Sequence, residues 1–222
     1  MASRVVTPLT AKKQAPALSL LGLFLALVCP EIIVLALPMG GTNTNLMPGE
    51  LLFWGLTVGL LIYVVAVEKR PLSSIGLRMP TWRTLLWGVC GGIVLMLGIG
   101  LIYGVVFRLL HLTMNTHAMT ALLAHSFPAR LLLVLRAAIF EEIAWRGYAI
   151  ERLTELTGSR MAAAAVAWAA FTLAHLSYWG MAQLLVAGFA GLLLTALYLW
   201  RRDLPCNMLA HFLVDGTAFL LH

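Results

Sequence analysis

The chain has 222 residues, of which 61% are apolar and only 11% charged. A soluble domain runs nearer half apolar and a quarter charged, so this composition excludes an ordinary soluble enzyme and points to a single-domain integral membrane protein. The net charge of +6 does not point to nucleic acid, because the basic residues fall in short clusters between apolar spans rather than in one patch.

Residues 1–16, with Arg4, Lys12 and Lys13, read as a basic cytoplasmic tail. The apolar run 17–37 is longer than a signal-peptide core and no small-x-small cleavage site follows it, so it is expected to be a retained helix. Pro30-Glu31 interrupts it, and Glu31, with no partner at helical spacing, reads as structural. A Gly/Pro/Asn loop occupies 38–49 and a second apolar helix 50–67. A basic amphipathic connector follows at 68–78, and Thr81 is placed to cap the third helix, 85–110. Gly55/Gly59, Gly88/Gly92 and Gly100/Gly104 have the four-residue spacing that lets membrane helices approach closely. A polar loop is expected at 111–127. The fourth span runs 129–152, and Gly158 and Ser159 are suited to end it and to cap the next. The fifth, 160–175, is so rich in alanine that it is expected to pack centrally. The sixth runs 181–200 and the seventh from 204 to the C-terminus. Cys29, Cys90 and Cys206 stand apart with no metal or disulfide spacing and read as packing residues.

The resulting expectation is an all-α membrane protein, a polytopic bundle of about seven transmembrane helices. Its parts are the tail 1–16, two N-terminal helices within 17–67, and a catalytic membrane core, 68–222. With the N-terminus in the cytoplasm, the inner segments hold Arg4, Lys12 and Lys13, then Lys69, Arg70, Arg78 and Arg83, then Arg152, Arg160, Arg201 and Arg202. The outer ends hold only Arg108 and Arg130, while Arg136 and Arg146 lie inside the fourth span. That bias predicts N-in, C-out with seven spans.

Glu141, Glu142 and Arg146 lie near the middle of the fourth span. Ionisable groups at that depth are costly and usually face protein or a water-filled cavity. At about 100° per residue, Glu142 and Arg146 share a face and form an internal pair, whereas Glu141 points away. Glu141, left without a cation, is the better candidate for a general base or acid, and Glu142 for an electrostatic partner. The same three residues also fit a purely structural ion network. His175 stands one turn after Phe171, and His211 and Asp215 are four apart on the seventh helix. This set is able to activate water and stabilise an oxyanion, or to hold a metal through Glu and His. His111, His117, His125 and His222 fall in loops or at the terminus and take no role. Straight helices place Glu141 mid-membrane, His211 nearer the inside and His175 nearer the outside. The fifth helix must therefore be shortened, tilted or broken for the groups to meet.

Glu141-Glu142-x-x-x-Arg146, Phe171-x-x-x-His175 and His211-x-x-x-Asp215, in that order on three membrane helices, resemble the CPBP intramembrane proteases. That family includes the CAAX prenyl endopeptidase Rce1 and the bacterial Abi proteins. The connector 70–78 is also similar, and the resemblance covers roughly residue 68 to the C-terminus. It implies that Glu141 acts with His175 to activate water, that His211 and Asp215 stabilise the oxyanion, and that Glu142, Arg146 and Phe171 support the site. Eukaryotic members carry asparagine where this chain has Asp215. An ionised aspartate repels an oxyanion, so Asp215 is expected instead to orient His211 and keep it protonated as a donor.

The resemblance implies an intramembrane endopeptidase acting without a cofactor on a membrane-associated protein or peptide. The expected setting is the lipid bilayer of a prokaryotic plasma membrane, and no nucleic-acid partner is expected. The alternatives are a zinc enzyme with Glu141, His175 and His211 as ligands, and a non-catalytic bacteriocin-immunity or partner-binding protein. A transporter is disfavoured, because the chain has no halves that resemble each other.

Overall fold

The structure is a computed structural model and describes residues 16–37 and 46–221. The expected tail, most of the first loop and His222 lie outside the described residues. Eight helices and no strands make up the described chain. They are α1 (Pro16–Ala36), α2 (Met47–Val67), α3 (Trp82–Leu109), α4 (Thr116–Leu123), α5 (Phe127–Thr157), α6 (Arg160–Ala174), α7 (Gln183–Arg201) and α8 (Leu204–Leu220). α1, α2, α3, α7 and α6 with its extension to Trp179 are long and apolar enough to cross a membrane. α4 and α5 meet at a bend of 118° and together make a sixth candidate. α8, at 17 residues, is close to that length. The apolar side chains of Leu51, Leu97 and Leu101 point outward, as they do where lipid is the solvent. The chain is thus an all-helical integral membrane protein.

Local signals account for most helix ends. Thr81 and Thr84 form a reciprocal capping box at the start of α3. Gly158, with φ of 72°, ends α5, and the Ser159 hydroxyl accepts from the Ala162 amide to open α6. α1 passes through Pro30 because the preceding turn, Phe24–Val28, widens to i→i+5 bonding, with the Cys29 amide donating to the Phe24 carbonyl. The expected loop at 111–127 is not all loop. Asn115 caps α4, its side chain accepting from the Ala118 amide.

The centre of the bundle is α5, not the alanine-rich α6. α6 buries Ala163, Ala164, Ala167 and Phe171, and much of its remaining surface is exposed. In α5 the backbone bonds i→i+5 from Ala137 to Ala149, and there only Ile139 and Glu141 are not fully buried. The glycine pairs divide in the same way. A Cβ on Gly88 or Gly92 would meet Leu209 or Leu213 of α8 within 3.0 Å, so that pair does bring two helices together. Added to Gly55, Gly59, Gly100 or Gly104, it would meet nothing within 4 Å, and those pairs mediate no contact.

Candidate active site

The polar residues of three helices meet on one cavity of about 310 Å³. α5 contributes Arg136, Phe140, Glu141 and Trp145 to its wall, α8 contributes His211 and Asp215, and the end of α6 contributes Phe171 and His175. The depth mismatch expected of straight helices is resolved by a break. α6 stops at Ala174, His175 sits in a turn, and a short helical turn, Leu176–Trp179, follows.

Glu142 lies beneath the cavity floor and is completely buried. Its Oε1 accepts from Arg146 Nη1 at 2.9 Å and from His211 Nδ1 at 2.9 Å, and its Oε2 accepts from Asn207 Nδ2 at 3.1 Å. Three donors satisfy the carboxylate, as a buried charge requires. Arg146 is equally buried, also reaches the Gly191 carbonyl, and stacks its guanidinium 4.0 Å from the Phe171 ring centroid. Phe171 in turn holds His175, with ring centroids 4.6 Å apart.

Glu141 is the contrasting carboxylate. Among the described residues no hydrogen bond reaches it. It is not, however, without a cation, as the helical-wheel reading expected. Arg136 Nη1 lies 3.9 Å from its Oε1 and His211 Nε2 lies 4.0 Å from its Oε2. Arg136 is five residues before Glu141, and the widened i→i+5 turn brings them to one face, which a 100° step does not predict. Glu50 of α2 holds Arg136 from the other side at 3.3 Å, and the Phe53 ring lies 4.5 Å beneath the guanidinium.

The two histidines are oriented differently. His175 Nδ1 lies 2.8 Å from the Phe171 carbonyl, which only accepts, so Nδ1 carries a proton and Nε2 is left free. His211 is oriented through Nδ1 by Glu142, and Asp215 Oδ2 sits 3.4 Å from the Nε2 that faces the cavity. Glu142 and Asp215 thus hold the two ring nitrogens of His211, one from each side. Glu31 of α1 is a further acidic residue at the site. It lines the cavity within electrostatic reach of His175 and Glu141.

Asn207, Arg136 and Glu50 were not singled out by motif spacing. Asn207 is a polar residue one turn before His211 on an apolar helix, and that periodicity is the signal that marks it. Arg136 and Glu50 interact across helices, and no local spacing reveals them. Among the described residues, no group of three or more His, Cys, Asp or Glu side chains is arranged to hold a metal ion, and Glu141, His175 and His211 do not form one.

Residues 123–217, which contain Arg136, Glu141, Glu142, Arg146, Phe171, His175, His211 and Asp215, match the family model described as Type II CAAX prenyl endopeptidase Rce1-like. No curated protein and no solved structure matches the chain. Residues 123–217 of this membrane-embedded chain are therefore similar to an Rce1-like domain, a likeness that points in general terms to a peptide hydrolase.

Proposed function

We propose that the protein hydrolyses a peptide bond in a membrane-associated protein or peptide, with Glu141 as the general base. One observation carries this reading. Of two adjacent carboxylates, Glu142 is fully buried and saturated by three donors, while Glu141 lines the cavity and, among the described residues, takes no hydrogen bond. A carboxylate already accepting from Arg146, His211 and Asn207 has little capacity left to take a proton from water, and Glu141 has that capacity.

In the proposed step, water between Glu141 and His175 gives a proton to the Glu141 carboxylate as its oxygen bonds to the scissile carbonyl carbon. The free Nε2 of His175 is available to hold the second water hydrogen. Negative charge develops on the carbonyl oxygen, and His211 Nε2–H, fixed from behind by Glu142, donates to it. Asp215 must release that nitrogen as substrate arrives, and it then sits beside the oxyanion as a protonated acid or keeps His211 charged. Collapse breaks the C–N bond, and the proton on Glu141 passes to the leaving nitrogen. The products are a new carboxyl end and a new amine. Arg146 and Phe171 hold the frame. The scheme runs without a metal. The division into an N-terminal helix pair, 17–67, and a catalytic core, 68–222, is kept in this reading. The pair supplies Glu31 to the cavity wall and Glu50 to Arg136.

The test compares peptide termini in membranes of cells carrying the natural protein or Glu141→Gln, which keeps shape and removes the base. Termini that disappear with Glu141→Gln, from a protein of unchanged abundance, identify the substrate, and their survival in the presence of a chelator supports the metal-free form. Unchanged termini combined with rescue of a deletion phenotype by Glu141→Gln would replace the enzyme reading with a partner-binding or immunity role.

A further inference from the structure

We infer that the cavity opens on the extracytoplasmic side of a plasma membrane, and that the substrate is a peptide segment presented there. The substrate part of this inference rests on the protease reading above.

The two ends of the bundle are sorted by contacts. At one end the Asn115 amide donates to the Tyr178 carbonyl, Arg130 to the Phe219 carbonyl and the Tyr103 hydroxyl to Gln183. At the other end Leu204 donates to the Gly76 carbonyl, Thr84 to Asp203, and Arg152 to Glu68.

Every helix that lines the cavity does so with the part nearer the first end. α1 lines it with Glu31, close to its last residue, and α2 with Phe53, close to its first. α3 lines it with Leu95, Ile99 and Tyr103 from its second half. α7 lines it from Gln183 to Leu194, and α8 from His211 to Phe219. Met119 and Leu122 of α4 lie over the same end.

The second end is closed. The turn Leu72–Ile75 packs under the cavity floor, with Ile75 completely buried. Its Ile75 carbonyl accepts from Tyr198, which also donates to Glu151, and Arg202 pairs with Glu151. Beside it, Glu68 accepts from Tyr148 at 2.6 Å and from Arg152 Nε at 3.0 Å. A peptide reaching Glu141 from this side would have to part buried ion pairs and leave charges unpaired, which is strongly unfavourable.

The basic residues lie on the closed end. Lys69, Arg70, Arg78 and Arg83 are in or beside the connector, and Arg152, Arg160, Arg201 and Arg202 are at the ends of α5, α6 and α7. Arg108 and Arg130 are at the open end. Cytoplasmic segments carry the excess of Lys and Arg, so the closed end is cytoplasmic and the mouth faces out.

The test uses the full chain with Cys29, Cys90 and Cys206 changed to alanine and one new cysteine, at Met119 by the mouth or at the exposed Ser73 on the closed end. A membrane-impermeant maleimide is applied to spheroplasts and to sealed inside-out vesicles. Met119→Cys is expected to label in spheroplasts and lose that labelling in inside-out vesicles, with Ser73→Cys the reverse. The opposite pattern overturns the orientation. Should a cysteine variant fail to accumulate, phosphatase and green-fluorescent-protein fusions after residue 222 of the natural chain replace it. An active phosphatase and a dark fluorescent fusion support the orientation, and the reverse overturns it. Termini that depend on Glu141 are expected only in segments exposed outside the cytoplasm, and such termini in cytoplasmic segments overturn the substrate assignment. Outward labelling with no Glu141-dependent terminus anywhere instead overturns the protease reading, leaving the orientation standing.

Discussion

Replacing Arg146 with methionine removes the cation from a carboxylate that has no access to water. Breaking a buried pair by deleting one partner costs roughly 3–5 kcal/mol, because the remaining charge is stranded. Glu142 keeps two donors, His211 and Asn207, so the lower end, about 3 kcal/mol, is expected. For a chain of this size each kcal/mol moves the midpoint by about 2–4 °C, so Tm should fall by about 6–12 °C. The assay is thermal unfolding in detergent micelles, followed by tryptophan fluorescence. The double variant Glu142→Gln with Arg146→Met restores neutrality and should melt above Arg146→Met alone, since coupling between contacting residues makes the two losses non-additive. An Arg146→Met protein melting within about 1 °C of the natural one, or a double variant losing the full sum of the singles, would refute the view that this pair is a buried, mutually dependent unit.

Gly147→Ala should destabilise by about 1–3 kcal/mol in the same assay, because its Cβ would lie 2.8 Å from the Ile75 carbonyl oxygen and 2.7 Å from Leu204. Gly55→Ala, with nothing within 4 Å, should cost nothing and serves as the control. Arg136→Gln should slow formation of the Glu141-dependent product by about tenfold, equivalent to roughly 1.4 kcal/mol in the barrier, and Arg136→Lys should recover most of it. Equal rates in both variants and the natural protein would remove Arg136 from any role beside Glu141. Asp215→Asn should stay within about tenfold of the natural rate while Asp215→Ala loses roughly a hundredfold, the usual scale for losing an oxyanion donor. Equal loss in the two would count against a hydrogen-bonding role at this position.

Within one helix, the sequence made much of the site legible. Glu142 with Arg146, Phe171 with His175 and His211 with Asp215 are each four apart, and each pair does meet in the structure. Residues about one turn apart stay neighbours even through the widened turns of α5 and the break after Ala174, so spacing alone finds them. The caps at Thr81 and Ser159 and the helix end at Gly158 were readable for the same reason, since each satisfies local backbone groups. The membrane class followed from composition, because lipid leaves so few uses for charge.

What required the tertiary structure lies between helices or in departures from the regular helix. The i→i+5 stretch in α5 turned Arg136 toward Glu141, and no residue pattern in 137–149 distinguishes it from an ordinary α-helix. Glu142 reaches His211 across 69 positions of chain, which adds a second carboxylate beside the Asp215 that spacing already placed there. Glu50, from a helix outside the matched segment, fixes Arg136 in place. Alanine content suggested a central α6, yet the bundle buries α5, because a helix carrying Glu142, Arg146 and Arg152 must be surrounded by partners while an alanine face is tolerated by lipid. Sequence periodicity records which way each side chain leaves its own helix. Which groups face one another across a cavity depends on helix placement, and that is set by the summed packing of the whole bundle.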